Sequence, residues 1–223
     1  TKKNDAVRRC TNEGYECEKI AIEKMKHFVS KDAFNIDGFG KKIVENFWKI
    51  KLIKQPQDIF KLNFKQIETL DGWGKQSVEN LKYSINEKKT ISLERLIYSL
   101  GIRHIGLENA KILSKHFGSF QKFMSLSNDS KYDELLNIDG IGETQINSIK
   151  NFFSNKINLG VLKELKKILN IKVKSTEKKN GLLKNKTFML TGKLNGISRA
   201  EAKSLIEENS GIIISSVSKK LNY

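Results

Sequence analysis

Proline is close to absent from this chain. The single one among 223 residues, Pro56, fits the first turn of a short helix near Gln57–Leu62. Cysteine is scarce as well: Cys10 and Cys17 are the only two. That argues against a disulfide-framed secreted fold and suits a reducing cytoplasm. No apolar run approaches the roughly 18 residues of a membrane span, and no secretory signal opens the chain. Thr1-Lys2-Lys3 offers no initiator Met, so we expect a fragment or a processed product. Arginine is also thin, five of the 41 basic residues. Lys, Asn and Ile dominate instead, and these are residues of AT-rich codons, so genome drift is an alternative source for part of the positive charge.

What the chain has is charge of one sign. Formal net charge is +16, and a polyanion is the natural partner of such a surface. The excess is no tail effect, because residues 181–223 carry net +4 and the preceding 180 carry net +12.

It also has a repeated glycine turn. Ile36-Asp37-Gly38-Phe39-Gly40, Leu70-Asp71-Gly72-Trp73-Gly74, Leu100-Gly101-Ile102-Arg103-His104-Ile105-Gly106 and Ile138-Asp139-Gly140-Ile141-Gly142 share one shape. Their closing glycines recur at 34-, 32- and 36-residue steps, the mark of a repeated supersecondary unit. Each lies between amphipathic stretches, so each reads as helix, tight turn, helix. The helical periodicity predicts helices over Ile20–Phe34, Lys41–Lys49, Phe64–Thr69, Leu93–Leu100, Glu108–Phe117, Gln145–Phe153 and Leu159–Leu169, with Asn63 and Ser92 as caps. A single glycine turn is more often structural than functional. Four at a regular interval on a basic chain point to phosphate binding, because each turn ends at a fresh helix N-terminus with unpaired N–H groups. A missing Cβ lets a phosphate approach the backbone. The candidate contacts are Gly38, Gly40, Gly72, Gly74, Gly106, Gly140 and Gly142, with Lys41 and Lys75 directly after two turns and Arg103 and His104 inside the third. There His104 takes the place of the first glycine and has a purely local role as its alternative. Phe39, Trp73, Ile105 and Ile141 should pack inward. Such a device reads backbone, not bases.

After Lys172–Gly181, a polar linker, the pattern changes. Lys186–Leu190 reads as a strand, Ser198–Asn209 as a helix with a Ser198/Glu201 capping box, and Ile212–Ile214 with Val217 as a second strand. This is a βαβ opening. Catalytic searching finds no constellation: Asp37, Asp71 and Asp139 belong to separate repeats and suit local turn bonds. Cys10 and Cys17 are either half of a four-ligand zinc site or two ordinary thiols.

The order of these motifs resembles a family. A cysteine pair beginning Arg9-Cys10-Thr11-Asn12 is followed by His27-Phe28-Val29-Ser30-Lys31, the four turns with Ser99–Gly106, then Phe188-Met189-Leu190-Thr191-Gly192-Lys193-Leu194 and Ser198–Ala202. Together they are similar to the C-terminal half of bacterial NAD-dependent DNA ligases. The resemblance implies a mainly α fold of four tandem helix-hairpin-helix repeats with a truncated α/β segment. Residues 1–19 would be the second half of a four-cysteine zinc finger, with Cys10 and Cys17 its last two ligands, although Glu18-Lys19-Ile20 replaces the family's usual Pro-Ala-Gln. Residues 20–171 would be the helix-hairpin-helix DNA-binding domain, 172–181 a linker, and 182–223 the first half of a BRCT domain. It further implies a bacterial, cytoplasmic, nucleoid-associated parent enzyme using NAD, Mg and Zn to seal nicks in duplex DNA during replication and repair. The adenylation and oligonucleotide-binding domains are missing, and no Lys-x-Asp-Gly nucleophile is present. The fragment itself is therefore expected to bind DNA, hold no catalytic residue or confident cofactor, and lack ligase activity. The alternative is a non-enzymatic helix-hairpin-helix DNA-repair subunit.

Overall fold

The computed structural model describes residues 15, 17–128, 131–173, 181–191, 202, 205–206, 209–214 and 221–223. The chain divides into two compact units, 1–174 and 175–223.

The first unit is almost entirely helical. Its helices are α1 (Glu18–Val29), α2 (Lys41–Lys49), α3 (Phe64–Glu68), α4 (Lys75–Glu87), α5 (Leu93–Ser99), α6 (Leu107–Phe117), α7 (Phe120–Ser125), α8 (Glu143–Ser154) and α9 (Lys156–Ile168). Two 3₁₀ segments, Pro56–Lys61 and Lys131–Asn137, fill gaps between them. Pro56 stands at the start of the first, where its missing N–H costs nothing. Asn63 caps α3 and Ser119 caps α7 through side-chain oxygens that accept from Gln66 and Lys122 amides. Ser92 stands at the N-cap of α5, but its side chain makes no cap bond.

Two features differ from the periodicity. The first helix ends at Val29, five residues before the apolar spacing runs out. Residues 30–36 fold back instead, with the amides of Phe34 and Ile36 bonded to the carbonyls of Phe28 and Val29. Phe34 and Ile36 are buried by that reversal rather than by a longer helix. The second feature is a short parallel pair, β1 (Thr90–Ser92) with β2 (Asn170–Lys172). It joins segments far apart in the chain and takes in the first residue of the expected linker. Three residues in each strand are too few for a readable alternation.

One core runs through this unit from Ile22 to Leu169. Phe28, Phe34, Phe47 and Phe123 are each less than 2% exposed. Burial of one such side chain stabilises the fold by about 1.5–3 kcal/mol.

In the second unit, β3 (Thr187–Phe188) pairs in parallel with β4 (Ile212–Ile213). Ala202, Leu205 and Ile206 are helical, so the described residues follow strand, helix, strand. Gly192 and the Ser198/Glu201 capping box lie outside the described residues.

Candidate nucleic-acid interface

The four turns are built alike. An amide-to-carbonyl bond closes each four-residue turn: Phe39 to Ile36 at 3.2 Å, Trp73 to Leu70 at 3.1 Å, Ile105 to Ile102 at 3.0 Å and Ile141 to Ile138 at 3.0 Å. The third residue of each turn is left-handed, with φ of +78° at Gly38, +81° at Gly72, +62° at His104 and +87° at Gly140. His104 therefore occupies the glycine position conformationally, and the third turn keeps the shape of the others. The apolar residue that follows points into the core: Phe39, Ile105 and Ile141 are buried, and Trp73 is half-buried.

The closing residues Gly40, Gly74, Gly106 and Gly142 are the N-caps of α2, α4, α6 and α8. All four are exposed. Being glycine, none can supply a side-chain cap, so the amides of each first helical turn are left at the surface. Their φ values, −68°, −90°, −80° and −105°, are open to any residue. A Cβ added at Gly40, Gly74 or Gly106 would meet no atom within 4 Å. Ser, Asn and Asp are better N-caps than glycine. The fold itself thus gives no reason for glycine at these three positions, whereas close approach of an outside group does.

The turns are brought together in pairs. Gly38, Asp37 and Ile43 face Gly72, Trp73 and Ser77 across a cleft of about 560 Å³. Phe47 ties this pair together, 5.6 Å from the Phe39 ring and 5.5 Å from Trp73. In the other pair, α6 lies against the fourth turn so closely that a Cβ on Gly140 would stand 2.9 Å from Ile112 Cδ1. Phe117, Phe123 and Phe153 join α6, α7 and α8 beneath it.

Charge is distributed unevenly among the four ends. Lys41 and Lys42 open α2 and Lys75 opens α4, all exposed, with no acidic residue in either first turn. Arg103 and His104 are exposed on the third turn. Yet α6 carries Glu108 and α8 carries Glu143 in their first turns. Asn109 Nδ2 donates to the His104 carbonyl at 3.1 Å, and Gln145 Oε1 accepts from the Gly142 amide at 3.2 Å. The Gly142 amide is thus satisfied from within, whereas the Asn109 bond braces the third turn's carbonyl and supplies no acceptor to the α6 amides.

Cys17 is half-buried at the N-cap of α1, and Cys10 lies outside the described residues. Among the described residues no group of three or more His, Cys, Asp or Glu side chains is arranged to hold a metal ion. The described residues alone do not make a zinc site. Nor is any helix among them long and apolar enough to cross a membrane.

Known proteins share this arrangement of residues. A helix-hairpin-helix motif model matches residues 95–162, which contain the third and fourth turns. The whole chain is 70% identical over 223 residues to a DNA ligase of Pelagibacter ubique (strain HTCC1062), covering 33% of that protein. It is 44% identical over 224 residues to a DNA ligase of Ehrlichia canis (strain Jake) and 41% over 226 residues to one of Rickettsia bellii (strain RML369-C), with 96% of the chain matched each time. Over nearly its whole length the chain is thus similar to one part of these DNA ligases. It spans about a third of the length of the curated relatives it matches.

Several residues of interest carry no motif signal. Lys42 stands one place beyond the residue beside its glycine, and spacing alone does not mark it. Glu108 and Asn109 are legible only as the second and third residues after Gly106, and Glu143 and Gln145 as the first and third after Gly142. Their meaning depends on which residue begins each helix.

Proposed function

We propose that this segment grips duplex DNA through its phosphate backbone, without regard to base sequence, as part of an NAD-dependent ligase that seals nicks. The observation that carries the reading is the set of exposed glycine N-caps. Gly40, Gly74 and Gly106 have ordinary φ values and open space where a Cβ would stand, so their lack of a side chain serves an incoming ligand rather than the fold. A phosphate oxygen there meets first-turn amides and the positive end of a helix dipole. Lys41 and Lys75 add a cation beside two of the four positions, and Arg103 and His104 flank a third.

On this reading the adenylation and oligonucleotide-binding domains are supplied by the rest of the parent protein. NAD and Mg belong there too. Cys10 and Cys17 would hold zinc together with two ligands from outside this chain. The parent would work in a bacterial cytoplasm on nucleoid DNA, and the segment alone would bind duplex without joining ends. Residues 182–223 would open a BRCT domain.

The test is a titration of nicked, intact and single-stranded DNA across salt. For about 6–10 phosphates, affinity should fall roughly 10³–10⁵ between 50 and 200 mM salt. Gly40→Ala with Gly74→Ala and Gly142→Ala should keep the helical signal and weaken both duplexes together. A flat salt response, or equal affinity of wild type and triple variant, would overturn the reading.

A further inference from the structure

Two side chains cross-link the segments that lead into the first and third turns, and phosphate binding does not account for them. His27, near the end of α1, places Nε2 2.8 Å from the Tyr98 carbonyl in α5. A carbonyl oxygen only accepts, so this nitrogen carries the proton. The His27 ring also meets the Tyr98 ring edge-on at 4.7 Å. In the opposite direction, Arg95 in α5 donates from Nε to the Ala33 carbonyl and from Nη2 to the Lys31 carbonyl, each at 2.7 Å.

The anchor points have one property in common. Lys31 and Ala33 lie in the fold-back that leads within a few residues to Gly38. The Tyr98 carbonyl also accepts the Gly101 amide at 3.1 Å, directly before the Ile102–Ile105 turn. At Gly101, φ is +62° and an added Cβ would crowd His27 Cδ2 at 3.4 Å. Each bond is therefore tied to backbone that feeds a turn rather than to the middle of a helix. Both side chains are only half-buried, and the helices already share an apolar core. The bonds are directional where core packing is not.

We propose that His27 and Arg95 form a reciprocal clamp that sets the spacing between the first and third turns, so that both meet phosphates of one duplex at once. They are positioning residues, acting through the backbone they hold. This rests on the duplex-binding reading above. A multivalent grip is lost when geometry forbids simultaneous engagement, so a loosened clamp weakens the grip while every phosphate-binding group stays in the chain.

The test uses the 223-residue chain. His27→Phe keeps a ring against Tyr98 and deletes the donor. Arg95→Gln deletes the fork. His27→Gln returns an amide donor near the Nε2 position, and Arg95→Lys keeps the charge with a single-point donor. Salt titrations on a nicked duplex, run well below each variant's melting temperature, should show His27→Phe and Arg95→Gln losing about 2 from the log–log salt slope. His27→Gln should recover most of the wild-type slope, and Arg95→Lys should fall between. Amide exchange at residues 36–39 should quicken while that of α9 stays unchanged. His27→Phe removes no formal charge, so its slope change cannot come from a lost cation. A wild-type slope in folded His27→Phe and Arg95→Gln overturns the clamp, as does an affinity loss that follows melting temperature with the slope intact. The wild-type titration alongside separates the two ideas: a flat wild type overturns the duplex reading and the clamp with it, whereas a steep wild type matched by both variants overturns the clamp alone.

Discussion

The first pair of turns and the second share a backbone and differ in how the helix behind each turn begins. Behind Gly40 and Gly74 come Lys41, Lys42 and Lys75, with no carboxylate in either first turn. Behind Gly106 and Gly142 come Glu108 and Glu143, with Asn109 and Gln145 reaching back to the turn or cap backbone. An acid at a helix N-terminus stabilises the helix through the dipole and competes there with any outside anion. The helix ends of the second pair thus carry acids, and Gly142 an internal acceptor, that the first pair lacks. On the duplex-binding reading, the first pair should therefore supply the larger share of the phosphate affinity.

The sharpest break between the pairs concerns the turn glycines. Gly140→Val should destabilise the chain by about 3 kcal/mol, because a β-branched residue is forced to positive φ and must push Ile112 aside. Gly72→Ala, with the same backbone sign but open space, should cost only about 1 kcal/mol. Urea unfolding of the two variants measures the gap, and equal midpoints would show that the second pair is not the tighter one.

Charge reversal comes next. Lys41→Glu with Lys75→Glu should weaken duplex binding by about 100-fold at moderate salt, taking roughly tenfold for each lysine withdrawn from a phosphate. Glu108→Gln with Glu143→Gln should strengthen it several-fold. If the two double variants shift affinity in the same direction, the division of labour between the pairs is gone.

Smaller still is the effect at the one turn without glycine. His104→Gly relieves a side chain held at φ +62° but gives the unfolded chain more freedom, so stability should change by less than about 1 kcal/mol. A loss above about 2 kcal/mol in the melting curve would mean that the imidazole itself braces the third turn.

The slightest effect concerns Glu164, whose pair with Lys61 ties α9 to the first 3₁₀ segment. Glu164 in α9 accepts from Lys167 and, at 2.7 Å, from Lys61 beside the first pair. These lysine bonds hold its carboxyl down at about 2, below its ordinary 4.5. A depressed carboxylate adds stability above its unfolded pKa and loses it as pH falls through the folded one. Melting temperature should be insensitive to Glu164→Gln in its pH slope near neutrality. Between about pH 4.5 and 2 the wild type should fall more steeply than the variant. Parallel curves would remove the pair from the account.

Much of this was readable in the residues. The turns announce themselves because a left-handed backbone position selects glycine and because the repeat interval multiplies a weak signal. Phe39, Ile105 and Ile141 were legible as inward residues from their place beside the glycines, and Asn63 and Pro56 from their cap and first-turn chemistry. The end of α1 was not legible, since Phe34 and Ile36 continue an apolar spacing that a fold-back satisfies as well as a helix does. Nor was the β1–β2 pair, whose hydrogen bonds depend on a partner some eighty positions away. At the candidate site, Lys41 and Lys75 were visible as neighbours of a glycine, whereas the bracing by Asn109 and Gln145 needed the helix starts.

By itself the sequence determined the glycine turns, their interval, the helices around them and the basic surface, because each of these follows from local conformation or composition. It also carried the order of motifs that matches the ligase family. The tertiary structure decided which turns stand together, how their helix ends differ in openness, and that His104 adopts the glycine conformation. It also placed His27 and Arg95 between α1 with its fold-back and α5. Those features rest on contacts between residues far apart in the chain, and local periodicity holds no record of which distant backbone a side chain will meet.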